Sequence, residues 1–230
     1  MRYEISGAPF PALTCYLEAG EQMITEGGGM SWVSPNMKME TTTNGGLGKA
    51  IGRLFSQDKM FQNRYTSVGG NGMIAFTSCC PGDIKAIEIR PGEQVICQKK
   101  AFLASTPGVN MSVFFRKNAA TGFFGGEGFI MQKFDGEGML FIEIDGAVKE
   151  FDLQAGEKII LDTGHLVMMS STCKMDVNTV KGAKNVLFGG EGLFNTVVEG
   201  PGKVMVQTMP LSKLALEISP YIPQSNSYNQ

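Results

Sequence analysis

The chain has 230 residues, a formal net charge of −2 and a sequence pI near 5.6, so its overall charge does not draw it to nucleic acid or to anionic lipid. Glycine accounts for 30 residues, and only 18% of the residues are charged, which is typical of a β protein with many turns and large buried contacts. No apolar run is long enough to span a membrane, and no charged segment precedes an apolar one at the start. The sequence therefore predicts a cytoplasmic protein.

One eight-residue pattern occurs three times along the chain. It reads apolar, any residue, Ala or Pro, Gly, Glu, Gln or Lys, apolar, apolar, and its glycines lie 72 and 64 residues apart. Glycine adopts backbone angles closed to other residues, so each copy predicts a tight turn between two strands. Recurrence of this kind indicates an internal repeat. The three copies are 17–24, 89–96 and 153–160.

A second motif, Gly-Gly-Glu-Gly, occurs at 125–128 and again 64 residues later at 189–192. Both copies stand beside short apolar runs, and glycine-rich turns between such runs are hairpin signals. The motif therefore predicts a structural hairpin of the repeated unit. We accordingly assign Glu127 and Glu191 to contacts between repeats and not to catalysis.

The three turns carry one acid each, and carboxylates that recur in this way could suggest a catalytic pair. A catalytic pair needs two environments that drive the two pKa values apart, whereas these acids occupy copies of one environment. We expect them to accept hydrogen bonds from turn amides or to face a neighbouring repeat. They are Glu21, Glu93 and Glu157.

The strands between the turns alternate, and some are apolar on both faces. Leu140, Ile142 and Ile144 share one face, while Met139 and Phe141 lie on the other together with Glu143. Both faces of such a strand must be covered, by another sheet or by another subunit. Trp32 is expected to be an anchor of a core or of an interface.

Candidates for metal or redox chemistry are few. Five cysteines without a Cys-x-x-Cys spacing predict buried free thiols instead of disulfides or a zinc site. His165 is the sole histidine, so no histidine cluster exists, and we interpret it as a turn residue and not as a catalytic base. No cofactor, metal or small-molecule ligand is predicted. The cysteines are Cys15, Cys79, Cys80, Cys97 and Cys173.

The first repeat carries an insertion in which a helix is predicted over about 47–56. Its apolar residues fall at helical spacing on one face, with two cations elsewhere. We favour a helix that plugs the open end of a barrel, and we keep a membrane-surface or partner helix as the alternative. The candidate interaction residues are Leu47, Lys49, Ile51, Arg53, Leu54 and Phe55.

The C-terminal stretch 210–223 predicts a short helix that prolines end, followed by a loose tail. No other segment resembles a linker. We therefore predict one β domain over 1–230, with repeats of about 1–76, 77–142 and 143–209 and a C-terminal helix and tail at 210–230.

Several motifs in order resemble the altered-inheritance-of-mitochondria family over nearly the whole chain, from about Tyr3 to Pro223. They are GGLGKAIGRLF, MFQNRYTSVGGNG, PGDIKAIEIRPGEQVICQKKAFLAS, the two GGEG turns, HLVMM and PLSKLALEISPYIP. The resemblance implies an all-β fold, a double-stranded β-helix or β-sandwich. It implies three internal repeats, each similar to a subunit of the trp RNA-binding attenuation protein, and a homotrimer with nine-fold pseudosymmetry. It brings no catalytic residues.

These observations predict a non-enzymatic homotrimeric ring that acts as a scaffold or interaction module. One alternative is a ring that binds single-stranded RNA, which rests on analogy of fold alone and is not favoured. Another is a peripheral membrane protein that uses the 47–55 helix.

Overall fold

A computed structural model describes residues 1–43, 61–117, 128–179 and 194–222. These residues form antiparallel β-strands with one α-helix near the C-terminus, so the expected all-β class is confirmed. The predicted 47–56 helix lies outside the described residues, as do both GGEG motifs except for Gly128. Within the described part of the chain, no helix is long and apolar enough to cross a membrane.

The strands after the first fall into three successive groups of six, which we call units 1, 2 and 3. Strand β1, Arg2–Ser6, precedes them. Unit 1 contains β2 Ala12–Leu17, β3 Gln22–Glu26, β4 Trp32–Val33, β5 Met37–Thr43, β6 Phe61–Ser67 and β7 Gly72–Thr77. Unit 2 contains β8 Gly82–Ile89, β9 Val95–Gln98, β10 Phe102–Ser105, β11 Val109–Lys117, β12 Phe129–Gly136 and β13 Gly138–Asp145. Unit 3 contains β14 Val148–Leu153, β15 Lys158–Asp162, β16 Leu166–Ser170, β17 Lys174–Thr179, β18 Phe194–Glu199 and β19 Gly202–Gln207.

The described helices are short and connect or follow the strands. Helix α1 spans Leu211–Ile218 and begins after Pro210, as the sequence predicts. Three 3-10 helices span Lys99–Ala101, Thr163–His165 and Ser219–Tyr221.

The same pairing scheme operates in each unit. The sixth strand lies between the first and the third, and the fifth lies between the second and the fourth. Consecutive units are joined by one further pairing, because the third strand of a unit pairs with the second strand of the unit before it. These junctions are β10 with β3 and β16 with β9.

The pairings give four sheets in the described residues. Sheet 1 has the order β1-β2-β7-β4, and sheet 4 has the order β15-β18-β17. Sheets 2 and 3 each have six strands, in the orders β5-β6-β3-β10-β13-β8 and β11-β12-β9-β16-β19-β14. Each six-strand sheet therefore combines strands from two consecutive units.

Three hydrophobic cores fill the spaces between consecutive sheets. Core 1 lies between sheets 1 and 2, core 2 between sheets 2 and 3, and core 3 between sheets 3 and 4. Strand β13 contributes Leu140, Ile142 and Ile144 to core 2 and Phe141 to core 1. The expectation that both faces of this strand are covered is confirmed, because sheet 2 is packed between two other sheets.

We expect the change Phe141→Ala to destabilise the protein by about 3–5 kcal/mol, since it leaves a cavity in core 1. Phe141 is fully buried, and its ring meets that of Tyr3 edge-on at 5.0 Å between centroids. The measurement is urea unfolding followed by circular dichroism. Phe114→Ala is the matched control, because Phe114 is exposed. This variant should lose far less free energy of unfolding. Equal losses for the two variants would contradict the placement of β13 between two cores.

Candidate interaction site at the open sheet edges

The six candidate interaction residues predicted from the sequence, Leu47 to Phe55, lie outside the described residues, and so do Glu127 and Glu191. The other predicted positions are described. They show which acids form hydrogen bonds and which thiols are buried. The surface with exposed apolar side chains lies elsewhere, at two sheet edges.

The turn acids hydrogen-bond to backbone amides of their own turns, which was one of the two roles expected for them. Glu21 Oε2 accepts from the amide of Glu18 at 2.8 Å. Glu93 accepts in the same way from Arg90 at 3.2 Å, and Glu157 from Gln154 at 2.9 Å. The preceding glycines have φ values of +88°, +87° and +80°, a region that disfavours other residues. The acids therefore stabilise their own turns.

His165 is the last residue of the 3-10 helix that links β15 to β16. Its Nδ1 lies 2.7 Å from the backbone oxygen of Gln207. Because a carbonyl oxygen only accepts, Nδ1 carries the proton in this hydrogen bond. In the described part of the chain, no group of three or more His, Cys, Asp or Glu side chains is arranged to hold a metal ion.

All five cysteines are free, but the expectation that all are buried is wrong for Cys79, which is exposed. Cys79 lies in the connection between β7 and β8, where its side chain is exposed while the neighbouring Cys80 is buried. Burial raises the pKa of Cys15 to about 12. It raises the pKa of Cys97 as well. Buried thiols of this kind are poor nucleophiles at neutral pH.

Sequence reasoning did not single out an acid pair at the end of β13. Burial raises the pKa of Glu143 to about 7, the charge of Asp145 adds to the increase, and a hydrogen bond with Ser78 opposes it. Asp145 Oδ2 accepts a hydrogen bond from the amide of Leu211 at 2.9 Å, so this carboxylate caps α1. The adjoining cavity of about 20 Å³ has room for a water molecule and not for a substrate.

The surface that stands out is the edge of sheet 4 formed by β15. In units 1 and 2 the second strand pairs with the third strand of the following unit, whereas β15, the second strand of unit 3, pairs only with β18 among the described strands. The turn motif makes Ile160 equivalent to Ile24 and Ile96. Ile160 is 68% exposed, whereas Ile24 is 6% and Ile96 is 1% exposed. An apolar position that is buried at both internal junctions is therefore uncovered on β15.

The edge of sheet 1 formed by β4 shows the complementary feature. Trp32 stands opposite Ala75 of the sixth strand, as Ala104 and Met168 stand opposite the equivalent residues of units 2 and 3. Trp32 is 46% exposed, while Ala104 is 0% and Met168 is 4% exposed. Of the two roles expected for Trp32, the core role is therefore wrong, and an interface anchor remains.

A groove lies on sheet 1 next to β4. It has a volume of about 550 Å³, and its lining includes Tyr16, Met73 and Ser34 from three adjacent strands or their ends. The guanidinium of Arg2 stacks over the Tyr16 ring at 4.1 Å from the centroid. Together, the two edges and this groove form the candidate interaction site.

The raised pKa of Glu143 predicts a pH dependence of stability. Between about pH 4.5 and pH 7, the folded state holds a proton that the unfolded state releases, so the free energy of unfolding falls as pH rises through this window. The contribution lost is at most about 3–4 kcal/mol, since one pKa unit corresponds to about 1.4 kcal/mol. Glu143→Gln should remove this decrease in urea unfolding measured from pH 4 to pH 8.

The control for this experiment is Glu88→Gln, at an exposed position paired with Arg90. It should leave the Glu143 contribution to the pH profile unchanged. An unchanged decrease in Glu143→Gln would show that Glu143 is not the group responsible.

Known proteins match nearly the whole chain. The family described as mitochondrial biogenesis AIM24 matches residues 3–209. The crystal structure of protein SPYM3_0169 from Streptococcus pyogenes, a Northeast Structural Genomics Consortium target, is 26% identical to the chain with a TM-score of 0.78. The similarity covers 96% of this chain and 99% of that one. No curated protein matches the chain significantly. Since the family match covers most of the sequence, and the motifs predicted it, the chain belongs to the mitochondrial biogenesis AIM24 family.

Proposed function

We propose that this protein is a non-enzymatic, ring-like scaffold or interaction module of the cytoplasm, made of three copies that associate head to tail. The observation that carries the proposal is the incomplete pair of sheets at the two ends of the chain. Counted over the described residues, sheets 2 and 3 have six strands each, whereas sheet 1 has four and sheet 4 has three.

The two incomplete sheets are complementary halves. If β15 of one copy lies beside β4 of the next, the combined order is β17-β18-β15-β4-β7-β2-β1. Apart from the added β1, the strands follow the same order as in sheets 2 and 3, when each strand is named by its place in its unit: fourth, fifth, second, third, sixth, first. Exposed edge strands with apolar side chains can pair with a strand of another chain. Here β15 is a second strand and β4 is a third strand, which are the two kinds of strand that pair at the internal junctions.

The contact would be heterologous, because different surfaces of the two copies meet. Head-to-tail contacts close into a ring when the rotation between copies permits closure. The resemblance to attenuation-protein repeats implies nine units in the closed ring, and three chains of three units supply that number. On this view the chain is a double-stranded β-helix of three repeats that is completed only by its neighbours.

The described acids support a structural role over a catalytic one. The turn carboxylates bond to turn amides, and Asp145 caps α1. The RNA hypothesis rests on fold analogy, which does not carry function, and the net charge of −2 does not favour it. The membrane hypothesis rests on the 47–55 segment, which lies outside the described residues.

Light scattering coupled to size exclusion tests the proposal. At micromolar concentration we expect a mass of three times the 24.8 kDa of the chain. The mass should resist moderate salt, because the exposed groups at the two edges are largely apolar. A monomer at this concentration would overturn the proposed ring, and so would an open series of masses that grows with concentration.

A further inference from the structure

The repeated architecture specifies the register of the contact between copies. We propose that β15 of one subunit pairs antiparallel with β4 of the partner subunit, with Ile160 opposite Val33 of the partner subunit and Leu161 opposite Trp32 of the partner subunit. The inference rests on the proposed ring, and it names the surface and the partner, which is a second copy of this chain.

The internal junctions supply the register. At the junction of units 2 and 3, Met169 stands opposite Ile96, and Met168 stands opposite Cys97. At the junction of units 1 and 2, Ser105 stands opposite Ile24. Ser105 and Met169 are equivalent, since they pair with equivalent residues of their sixth strands, Leu140 and Val204. The two internal junctions therefore share one register.

The same equivalences assign the residues of the open edges. Val33 pairs with Ile74 of the sixth strand in unit 1, which makes Val33 the counterpart of Ser105 and Met169. Ile160 is the counterpart of Ile24 and Ile96 through the turn motif. Trp32 follows Ile24 by eight positions, as Ala104 follows Ile96 and Met168 follows Ile160. No insertion therefore shifts the register between the units.

The sheet face on which each junction side chain lies provides an independent check of the register. At the junction of units 2 and 3, Ile96 and Met169 point into core 3, whereas Cys97 and Met168 point into core 2. The proposed register therefore requires Ile160 and Val33 to share one face, and Leu161 and Trp32 to share the other.

The described contacts agree with this requirement. Val33 already packs against core 1 of its own chain, so Ile160 of the neighbouring copy would extend that core. Leu161 already packs against core 3 of its own chain, so Trp32 of the partner subunit would extend that one. Each exposed side chain thus reaches a core that its opposite residue already borders. Tryptophan is among the residues that most often dominate the energy of an interface.

Cysteine cross-linking tests the register directly. In a Cys79→Ser background, full-length Val33→Cys and Ile160→Cys proteins are coexpressed so that rings assemble from both chains. The mixture is then oxidised, and the products are separated by denaturing electrophoresis without reductant. Opposite residues of paired antiparallel strands have Cβ atoms close enough for a disulfide, so we expect a covalent dimer. Each single variant oxidised alone should give several-fold less covalent dimer.

The matched control is the mixture of Trp32→Cys and Ile160→Cys, whose side chains would lie on opposite faces of the combined sheet. It should cross-link several-fold less than the 33–160 mixture. Equal or greater cross-linking of the control would overturn the register. If the unsubstituted protein still has a mass of three chains, the proposed ring survives that result, so the two failures are distinguishable.

Fluorescence provides a second measurement, because Trp32 is the sole tryptophan of the chain. Ile160→Asp places a charge in the contact and should yield monomers with a red-shifted Trp32 emission. Leu216→Asp, at an exposed position on α1, should retain both the mass and the emission of the parent. Cross-linking decides the matter if Ile160→Asp does not fold. A folded Ile160→Asp variant that keeps the parent mass and emission would overturn the inference.

Discussion

The pairing of the third strand of one unit with the second strand of the preceding unit is the interaction on which the architecture depends. It occurs twice within the chain, at β10 with β3 and at β16 with β9, and each time it joins strands of two units into a six-strand sheet. Because the third strand of a unit always pairs with the second strand of the unit before it, the third strand of unit 1 and the second strand of unit 3 each keep one edge unpaired among the described strands. Those strands are β4 and β15, and the most exposed apolar side chains of the junction positions lie on them.

The stacking of sheets follows from the same pairing. Sheet 2 must be apolar on both faces, because core 1 lies on one side of it and core 2 on the other. Strand β13 meets this demand by placing Leu140, Ile142 and Ile144 on one face and Phe141 on the other. The tight glycine turns lead the chain from one sheet to the next, and their glutamates accept hydrogen bonds from turn amides. The acids that could have suggested an active site are therefore part of the scaffold.

Much of this was accessible from residues alone. The turn motif identified three equivalent positions, the alternation in 139–144 required cover on both faces, and the recurrence of the turn acids in one environment argued against catalysis. The role of Trp32 could not be decided, since a lone tryptophan in a strand suits a core as well as an interface. The acid pair Glu143 and Asp145 was not recognised, because its environment is formed by residues distant in sequence, among them Ser78 and Leu211. The exposure of Cys79 could not be predicted either, because the sequence of two adjacent cysteines does not indicate which side chain is exposed.

The sequence by itself determined the all-β class, the turns and the family, since these depend on local backbone preferences, side-chain alternation and motif order along the chain. Only the tertiary structure decided which strands keep one unpaired edge. Residues Ile24, Ile96 and Ile160 occupy the same place in the same motif, and nothing local distinguishes them. The first two are buried and the third is exposed, because burial depends on whether another strand pairs along that edge of the sheet, and the pairing of strands is a property of the whole array of sheets.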